Sequence, residues 1–206
     1  SLLLSTCFVV SCGGESDDAT TALRYDPVAD QFKDDAINIG SITNTPSVKN
    51  AILLAVKQIN EAGGVLNKEL NVVATVASDT EDAMRQAENL LQRDIKVLNV
   101  SYSSRSKAVS ELTIAKGIPL ISESATSTFF SDFNDNDLYF RMVPSDIFQS
   151  RILAELAIAQ GYRTAVTVHN EFDQYGETLV EFFLLNFTQL GGQVLEQVAV
   201  PFSVRA

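Results

Sequence analysis

The chain has 206 residues, 46% of them apolar and 20% charged, with 15 Lys and Arg against 26 Asp and Glu for a net charge of -11. That apolar share is ample for a buried core in one large or two small domains, while a surface so acidic repels phosphate backbones and argues against nucleic-acid binding. Both cysteines, Cys7 and Cys12, precede the part of the chain expected to fold, so that part holds neither a disulfide nor a thiolate metal site.

Residues 1–10 are apolar and uncharged, too short for the roughly 20 residues of a helical bilayer span. They read as the apolar region of a secretory signal whose basic start is missing. The run Val9-Val10-Ser11-Cys12 resembles a bacterial lipobox, with Cys12 as the lipidated residue and residues 1–12 as the signal segment. The competing reading is a plain cleaved signal with an incidental cysteine. Residues 13–36 are polar, acidic and aperiodic, the composition of a tether.

Residues 37–42 predict the first strand, and Pro46 suits the first turn of a following helix. Val48, Ile52, Ala55 and Ile59 recur there at helical spacing until Gly63-Gly64 ends the pattern. A strand is expected over 70–77, then a helix capped by Asp79 and Thr80 with Ala83, Ala87, Leu90 and Leu91 inward. Next come a strand over 97–100, a helix over 107–116 with Ala108, Leu112 and Ala115 inward, and a strand over 118–121. After an acidic loop, 129–137, a strand is expected over 138–143. Pro144-Ser145-Asp146 then opens a helix with Phe148, Ile152, Leu156 and Ala159 on one face. Gly161 ends it before a strand over 164–168, a helix over 176–190 lining up Leu179, Phe183, Asn186, Phe187 and Leu190, and a strand over 193–200.

Strands alternating with helices predict an α/β fold with a doubly wound parallel sheet. The alternation restarts after Pro144, which suggests two lobes, residues 37–143 and 144–206. Two strands and two helices are too few to cover both faces of an open sheet, so the second lobe is expected to be incomplete in this chain.

Two hydroxyl-rich loops, 101–106 and 122–128, follow successive strands and are therefore expected side by side at the carboxyl edge of the sheet. Ser103, Ser104, Ser124 and Thr126, with a helix start behind the first loop, suit a small anionic group. The alternative for Ser103 and Ser104 is that they cap a helix beginning near Lys107. The sequence contains no G-x-S-x-G, G-x-x-x-x-G-K-[ST], H-E-x-x-H or G-x-G-x-x-G after a strand. His169 is the one histidine, which excludes a multi-histidine metal site, and Asp79 reads as a cap rather than a ligand. The hydroxyls point to holding a molecule rather than transforming it, with no cofactor implied.

Several pieces in order, Ile59-Asn60-Glu61-Ala62-Gly63-Gly64, Ser78-Asp79-Thr80, Ser103-Ser104, Gly117-Ile118-Pro119-Leu120-Ile121-Ser122, Ala125-Thr126, Phe140-Arg141-Met142-Val143-Pro144-Ser145-Asp146 and Tyr175-Gly176, resemble the type I periplasmic binding proteins. The nearest resemblance is to the branched-chain amino-acid-binding subgroup that feeds ABC importers. It implies two doubly wound lobes that close on a ligand, with the first crossover at Pro144-Ser145-Asp146. It also implies that Ser103 and Thr126 hold the ligand's α-carboxylate, that backbone groups of Ser124 and Ala125 meet its ammonium, and that Tyr175 contributes from the second lobe. The implied ligand is a zwitterionic amino acid, most simply an aliphatic one. The implied setting is the periplasm or the outer face of a bacterial membrane, with a lipid anchor and an importer permease as partner. A sensory module of the same fold, signalling to a partner protein, is the alternative. This chain departs from the family in its short loop after the first strand, Thr43 to Pro46, and in Arg105, which stands where a small residue is common and either approaches the ligand or points to solvent.

Overall fold

The computed structural model describes residues 31–43 and 45–201. The signal, the lipobox cysteine Cys12 and most of the tether fall outside these residues. The chain divides between Val143 and Pro144 into two compact units.

In the N-terminal unit, β1 (Ile37–Thr43), α1 (Pro46–Glu61), β2 (Leu70–Val76), α2 (Thr80–Leu91), β3 (Ile95–Val100), α3 (Ser103–Ala115), β4 (Leu120–Ser122) and β5 (Tyr139–Arg141) follow in order, with a 3-10 turn at Thr128–Ser131. The sheet runs β2-β1-β3-β4-β5, and every pairing is parallel. This is the doubly wound parallel arrangement that the alternation predicts. Because all five strands point one way, Thr43, Val76, Val100, Ser122 and Arg141 end at the same edge. Ile42, Leu98, Val100, Val109 and Leu120 are fully or almost fully buried between the sheet and α2 and α3, and Ala83, Ala87, Leu90 and Leu91 form the inner face of α2 as expected. Small residues at Ala83 and Ala87 let that helix lie close to the sheet. Gly40 has a related role on β1, where a Cβ would meet Leu98 at 2.9 Å and Ile95 at 3.1 Å.

In the C-terminal unit, α4 (Asp146–Ala159), β6 (Thr164–Asn170), α5 (Gln174–Gln189) and β7 (Gln193–Val200) form a parallel two-stranded sheet with two helices packed on each other. Phe187 is fully buried and lies against the backbone of Gly192, where a Cβ would stand 2.4 Å from the ring.

Three helical faces differ from the periodicity reading. On α1, Val48 and Ile52 are half-buried, whereas Ala55 and Ile59 are exposed and Leu53 and Val56 turn inward instead. On α3, Leu112 packs against the core as expected, but Ala108 is only half-buried and Ala115 exposed, and the fully buried face is Ser103, Ser106, Val109, Ser110 and Thr113. Hydroxyls can line a buried helix face when backbone carbonyls take their protons. Ser110 Oγ donates to the Lys107 carbonyl and Thr113 Oγ1 to the Ser110 carbonyl, each at 2.8 Å, and Ser106 Oγ donates to the Val100 carbonyl at 3.0 Å. On α4 the expected inner stripe is exposed, Phe148 at 57%, Ile152 at 54% and Leu156 at 51%, and Ala159 is exposed with them. Asp146, Ser150 and Ala154 are buried in its place. Close packing of α4 on α5 selects small side chains, and Asp146 accepts from the Thr178 hydroxyl at 2.7 Å.

Two substitutions test this packing. Leu98→Ala is expected to cost about 2–5 kcal/mol through lost burial and the cavity left behind. Gly192→Ala is expected to cost about 1–3 kcal/mol, because the Phe187 ring must move. Urea unfolding followed by far-UV circular dichroism reads both; a cost below about 0.5 kcal/mol for either would show that the site repacks freely.

Candidate functional site

At the carboxyl edge, β3 runs through Ser101 and Tyr102 directly into α3. Tyr102 occupies the N-cap position with φ 70° and ψ 146°, a conformation that costs a non-glycine residue about 1–3 kcal/mol and tends to cluster at functional sites. Thr45, Asp79, Ser145 and Asp173 cap α1, α2, α4 and α5 through their side chains. α3 has no side-chain cap. Ser103 and Ser104 lie inside its first turn rather than in front of it, so the capping alternative for them does not hold. The start of α3 therefore presents first-turn N–H groups and a positive dipole end to whatever lies above it.

The loop after β4 is stitched to this helix start. Tyr102 N–H donates to Ser124 Oγ at 3.0 Å and Ser127 N–H donates to Ser103 Oγ at 3.2 Å. Beneath them, Ser122 Oγ donates to the Val100 carbonyl at 2.6 Å and accepts from Ala125 N–H at 3.1 Å. Glu123 accepts from Asn99 Nδ2 at 3.0 Å, from Ser124 Oγ at 3.2 Å and from Ser101 Oγ. Asn99 in turn accepts from Ser41 Oγ of β1 at 3.2 Å. From β5, Arg141 Nη1 donates to the carbonyls of Ser127 and Thr126 at 3.0 and 3.3 Å. Burial pushes the nearby Tyr139 hydroxyl well above the usual range, with Arg141 opposing. Sequence reasoning missed Glu123 and Arg141, because nothing local marks a residue whose partners lie on other strands.

These bonds define what remains for a ligand. Ser103 accepts one bond in the fold, which leaves its proton to donate, and its residue is 1% exposed. Thr126 Oγ1 is shielded and has no partner among the described residues. Ser124 has its hydroxyl proton on Glu123, and Ser124 and Ala125 direct their N–H groups at Ser122 Oγ. What those two residues can still offer is carbonyl oxygen, an acceptor suited to an ammonium group. Ser104 is half-buried in the same turn. The arrangement can hold a small anion by hydroxyls and a helix start, with acceptors alongside for a cationic group.

Tyr175 belongs to the C-terminal unit, in the first turn of α5. Asp173 caps that helix, accepting from Tyr175 N–H at 3.4 Å and Gly176 N–H at 3.2 Å. The Tyr175 hydroxyl accepts from Gln149 Nε2 of α4 at 3.0 Å. Gly176 allows the close approach of β6, since a Cβ there would lie 3.3 Å from His169 Cβ. A groove of about 540 Å³ at the amino edge of the N-terminal sheet, between α1 and β2, is less apt: its charged walls are paired, Lys33 with Glu69 at 2.9 Å and Lys57 with Glu61 at 3.7 Å, and Asn60 is spent on the Leu70 backbone at 2.8 Å in both directions.

Comparison with known proteins gives a consistent answer. Residues 47–204 match the receptor family ligand binding region. Metabotropic glutamate receptor 4 of Macaca fascicularis is 32% identical over 116 residues, 56% of this chain and 13% of that protein. Metabotropic glutamate receptor 6 of Rattus norvegicus is 31% identical over 111 residues, 53% of this chain and 13% of that protein. An ABC transporter substrate-binding protein from Desulfitobacterium hafniense, solved in complex with Leu, aligns with TM-score 0.69 and 23% identity over 82% of this chain and 52% of that one. A leucine binding protein from Thermotoga maritima aligns with TM-score 0.71 and 22% identity over 81% and 49%. At such identities the likeness to the solved structures is one of fold. The chain spans about half the length of those structures and 13% of the receptors.

The two hydroxyls separate in a stability test. Thr126→Val removes a buried hydroxyl without a partner and is expected to leave stability unchanged or raise it by up to about 1 kcal/mol, whereas Ser103→Ala strands the Ser127 N–H and costs about 1–3 kcal/mol. Equal effects in urea melts would contradict the bonding described.

Proposed function

The chain belongs to the receptor family ligand binding region, and from that premise we propose an extracytoplasmic solute-binding protein that captures a small amino acid by its carboxylate. The observation that carries the reading is the uncapped start of α3 beside the unspent protons of Ser103 and Thr126. Four of the five described α-helices satisfy their first turn with a side chain, and α3 leaves that place to a ligand. Ser103 and Thr126 take the carboxylate, Ser124 and Ala125 the ammonium through backbone oxygen, with Ser104 beside them. Tyr175 is a further ligand contact in this reading. The domain scheme stays as the sequence suggests, a signal over 1–12, a tether over 13–36, and lobes over 37–143 and 144–206.

In this reading a lipid on Cys12 holds the protein at the outer face of a bacterial membrane, and the ligand passes unchanged to an ABC importer. The second reading is a sensor of the same fold that signals occupancy to a partner protein. It is favoured by the identity of 31–32% to two metabotropic glutamate receptors.

Calorimetry on the full-length protein tests the site. Ser103→Ala and Thr126→Val are each expected to weaken amino-acid binding about 10- to 150-fold, as loss of a hydrogen bond to a charged group does. An amino-acid amide that binds as well as the acid would overturn the carboxylate assignment, and an unchanged affinity and off-rate for Tyr175→Ala would remove that residue from the site. For anchoring, Cys12→Ala is expected to release the protein from the membrane fraction, and mass spectrometry to find a lipidated N-terminal peptide in the parent. An unmodified soluble protein would refute the anchor.

A further inference from the structure

Glu123 stands one residue past β4, half-buried, and no described Lys or Arg pairs with it. Neutral donors take the place of a cation. Asn99 Nδ2 donates to one carboxylate oxygen at 3.0 Å, while Ser124 Oγ at 3.2 Å and Ser101 Oγ share the other. The Asn99 amide is fixed in this sense, since its Nδ2 also faces the Ile121 carbonyl at 3.4 Å and its oxygen accepts from Ser41 Oγ at 3.2 Å. The side chain at position 123 must therefore accept from every neighbour. An ionised carboxylate accepts on both oxygens, whereas an amide has one accepting oxygen and would turn an N–H against Asn99. Withdrawing a charge from water without a counter-charge costs stability, which leaves the ordering of its neighbours as the contribution Glu123 makes.

The relay continues into the site. With its proton on Glu123, Ser124 Oγ turns a lone pair to Tyr102 N–H, 3.0 Å away. Tyr102 holds φ 70° and ψ 146°, a region that glycine enters freely and other residues enter at a cost. The other described non-glycine residues with positive φ, Leu66, Asn67, Asn136 and Asp137, lie in turns, whereas Tyr102 begins a helix. No side chain caps that helix, and Ser103 follows Tyr102 directly. The Tyr102 carbonyl accepts from Ser106 N–H at 2.9 Å, closing the first turn of α3. The φ of Tyr102 thus sets where the first-turn N–H groups and the Ser103 hydroxyl point, and the Ser124 bond holds the Tyr102 peptide in place.

We propose that Glu123 is a positioning residue for ligand binding: through Ser124 its charge holds Tyr102 in the positive-φ conformation and so keeps the start of α3 open to a carboxylate, without touching the ligand. This rests on the reading that Ser103 and the start of α3 take the ligand's carboxylate. The sign of the effect separates positioning from a direct field. A carboxylate beside an anion site repels the anion, so a field alone gives tighter binding when Glu123 is neutralised. Positioning gives weaker binding.

Isothermal titration of the full-length protein with L-leucine and L-glutamate, and amide hydrogen exchange on the empty protein by NMR, test the relay. Glu123→Gln is expected to weaken binding of whichever amino acid the parent binds about 5- to 10-fold, the difference between a charged and a neutral acceptor. Exchange of Ser106 N–H is expected to quicken by a similar factor as the first turn opens. Tyr102→Gly removes the need for the relay, and Glu123→Gln made on that background is expected to cost affinity and Ser106 protection less than about 2-fold. Tighter binding by Glu123→Gln would overturn the proposal in favour of a field effect. A loss of affinity that persists on the Tyr102→Gly background would overturn it in favour of direct contact with the ligand's ammonium. If neither amino acid binds the parent, the amino-acid reading falls, while Ser106 exchange still decides the relay: an unchanged rate in Glu123→Gln overturns it. Should Glu123→Gln fail to fold, Ser124→Ala cuts the same relay one bond later, with the same rise in Ser106 exchange expected and an unchanged rate counting against the proposal.

Discussion

Glu123 gathers the hydroxyls of Ser101 and Ser124 and the amide of Asn99, and through Asn99 it reaches Ser41 on β1. Bonds to an ionised acceptor are roughly twice as strong as neutral ones, and a chain of them polarises each member. The geometry above the sheet depends on this carboxylate. With its proton on Glu123, the Ser124 oxygen is aimed to accept from Tyr102 N–H, and that bond supports Tyr102 in its costly backbone conformation. Tyr102 turned this way lets α3 start at Ser103 without a cap. One acidic side chain, itself no candidate ligand contact, thus sets which protons the site has left.

Arg141 supplies the matching constraint from the other side. Its guanidinium fastens the carbonyls of Thr126 and Ser127 and the hydroxyl of Ser131, fixing the backbone of the β4 loop while leaving Thr126 Oγ1 unengaged. A binding group is useful when its frame is rigid and its own valence is open. The loop meets both conditions: carbonyls and N–H groups are consumed in holding position, and one hydroxyl is kept back. Arg105 differs from Arg141 in this respect, since only one of its two terminal nitrogens finds an acceptor.

Much of this was legible in the chain. Apolar runs interrupted by Gly and Pro marked the strands and helix ends, and Asp79 and Ser145 announced the starts of α2 and α4. The start of α3 was displaced by four residues, from Lys107 to Ser103, because a helix that begins without a capping side chain carries no local signature. Its serine-rich inner face was invisible to hydrophobic periodicity, which registers the chemistry of a side chain and not whether its hydroxyl has a carbonyl to bond. The α4 face failed for the converse reason: Phe148, Ile152 and Leu156 have helical spacing, but the contact with α5 selects for smallness at Ser150 and Ala154. Glu123 and Arg141 act between strands, and a linear reading has no access to such partners.

The absent cap on α3 has a thermodynamic consequence. A side-chain N-cap contributes about 0.5–2 kcal/mol to the helix it begins, so in the empty protein α3 is the helix whose first turn is least supported. An anion seated there performs the capping itself. Its binding energy is then partly spent in stiffening the opening turn of α3, and by linkage any surface that touches this helix experiences a firmer neighbour when the site is full. Occupancy becomes readable as local rigidity on the helix, which requires no displacement of the sheet beneath it.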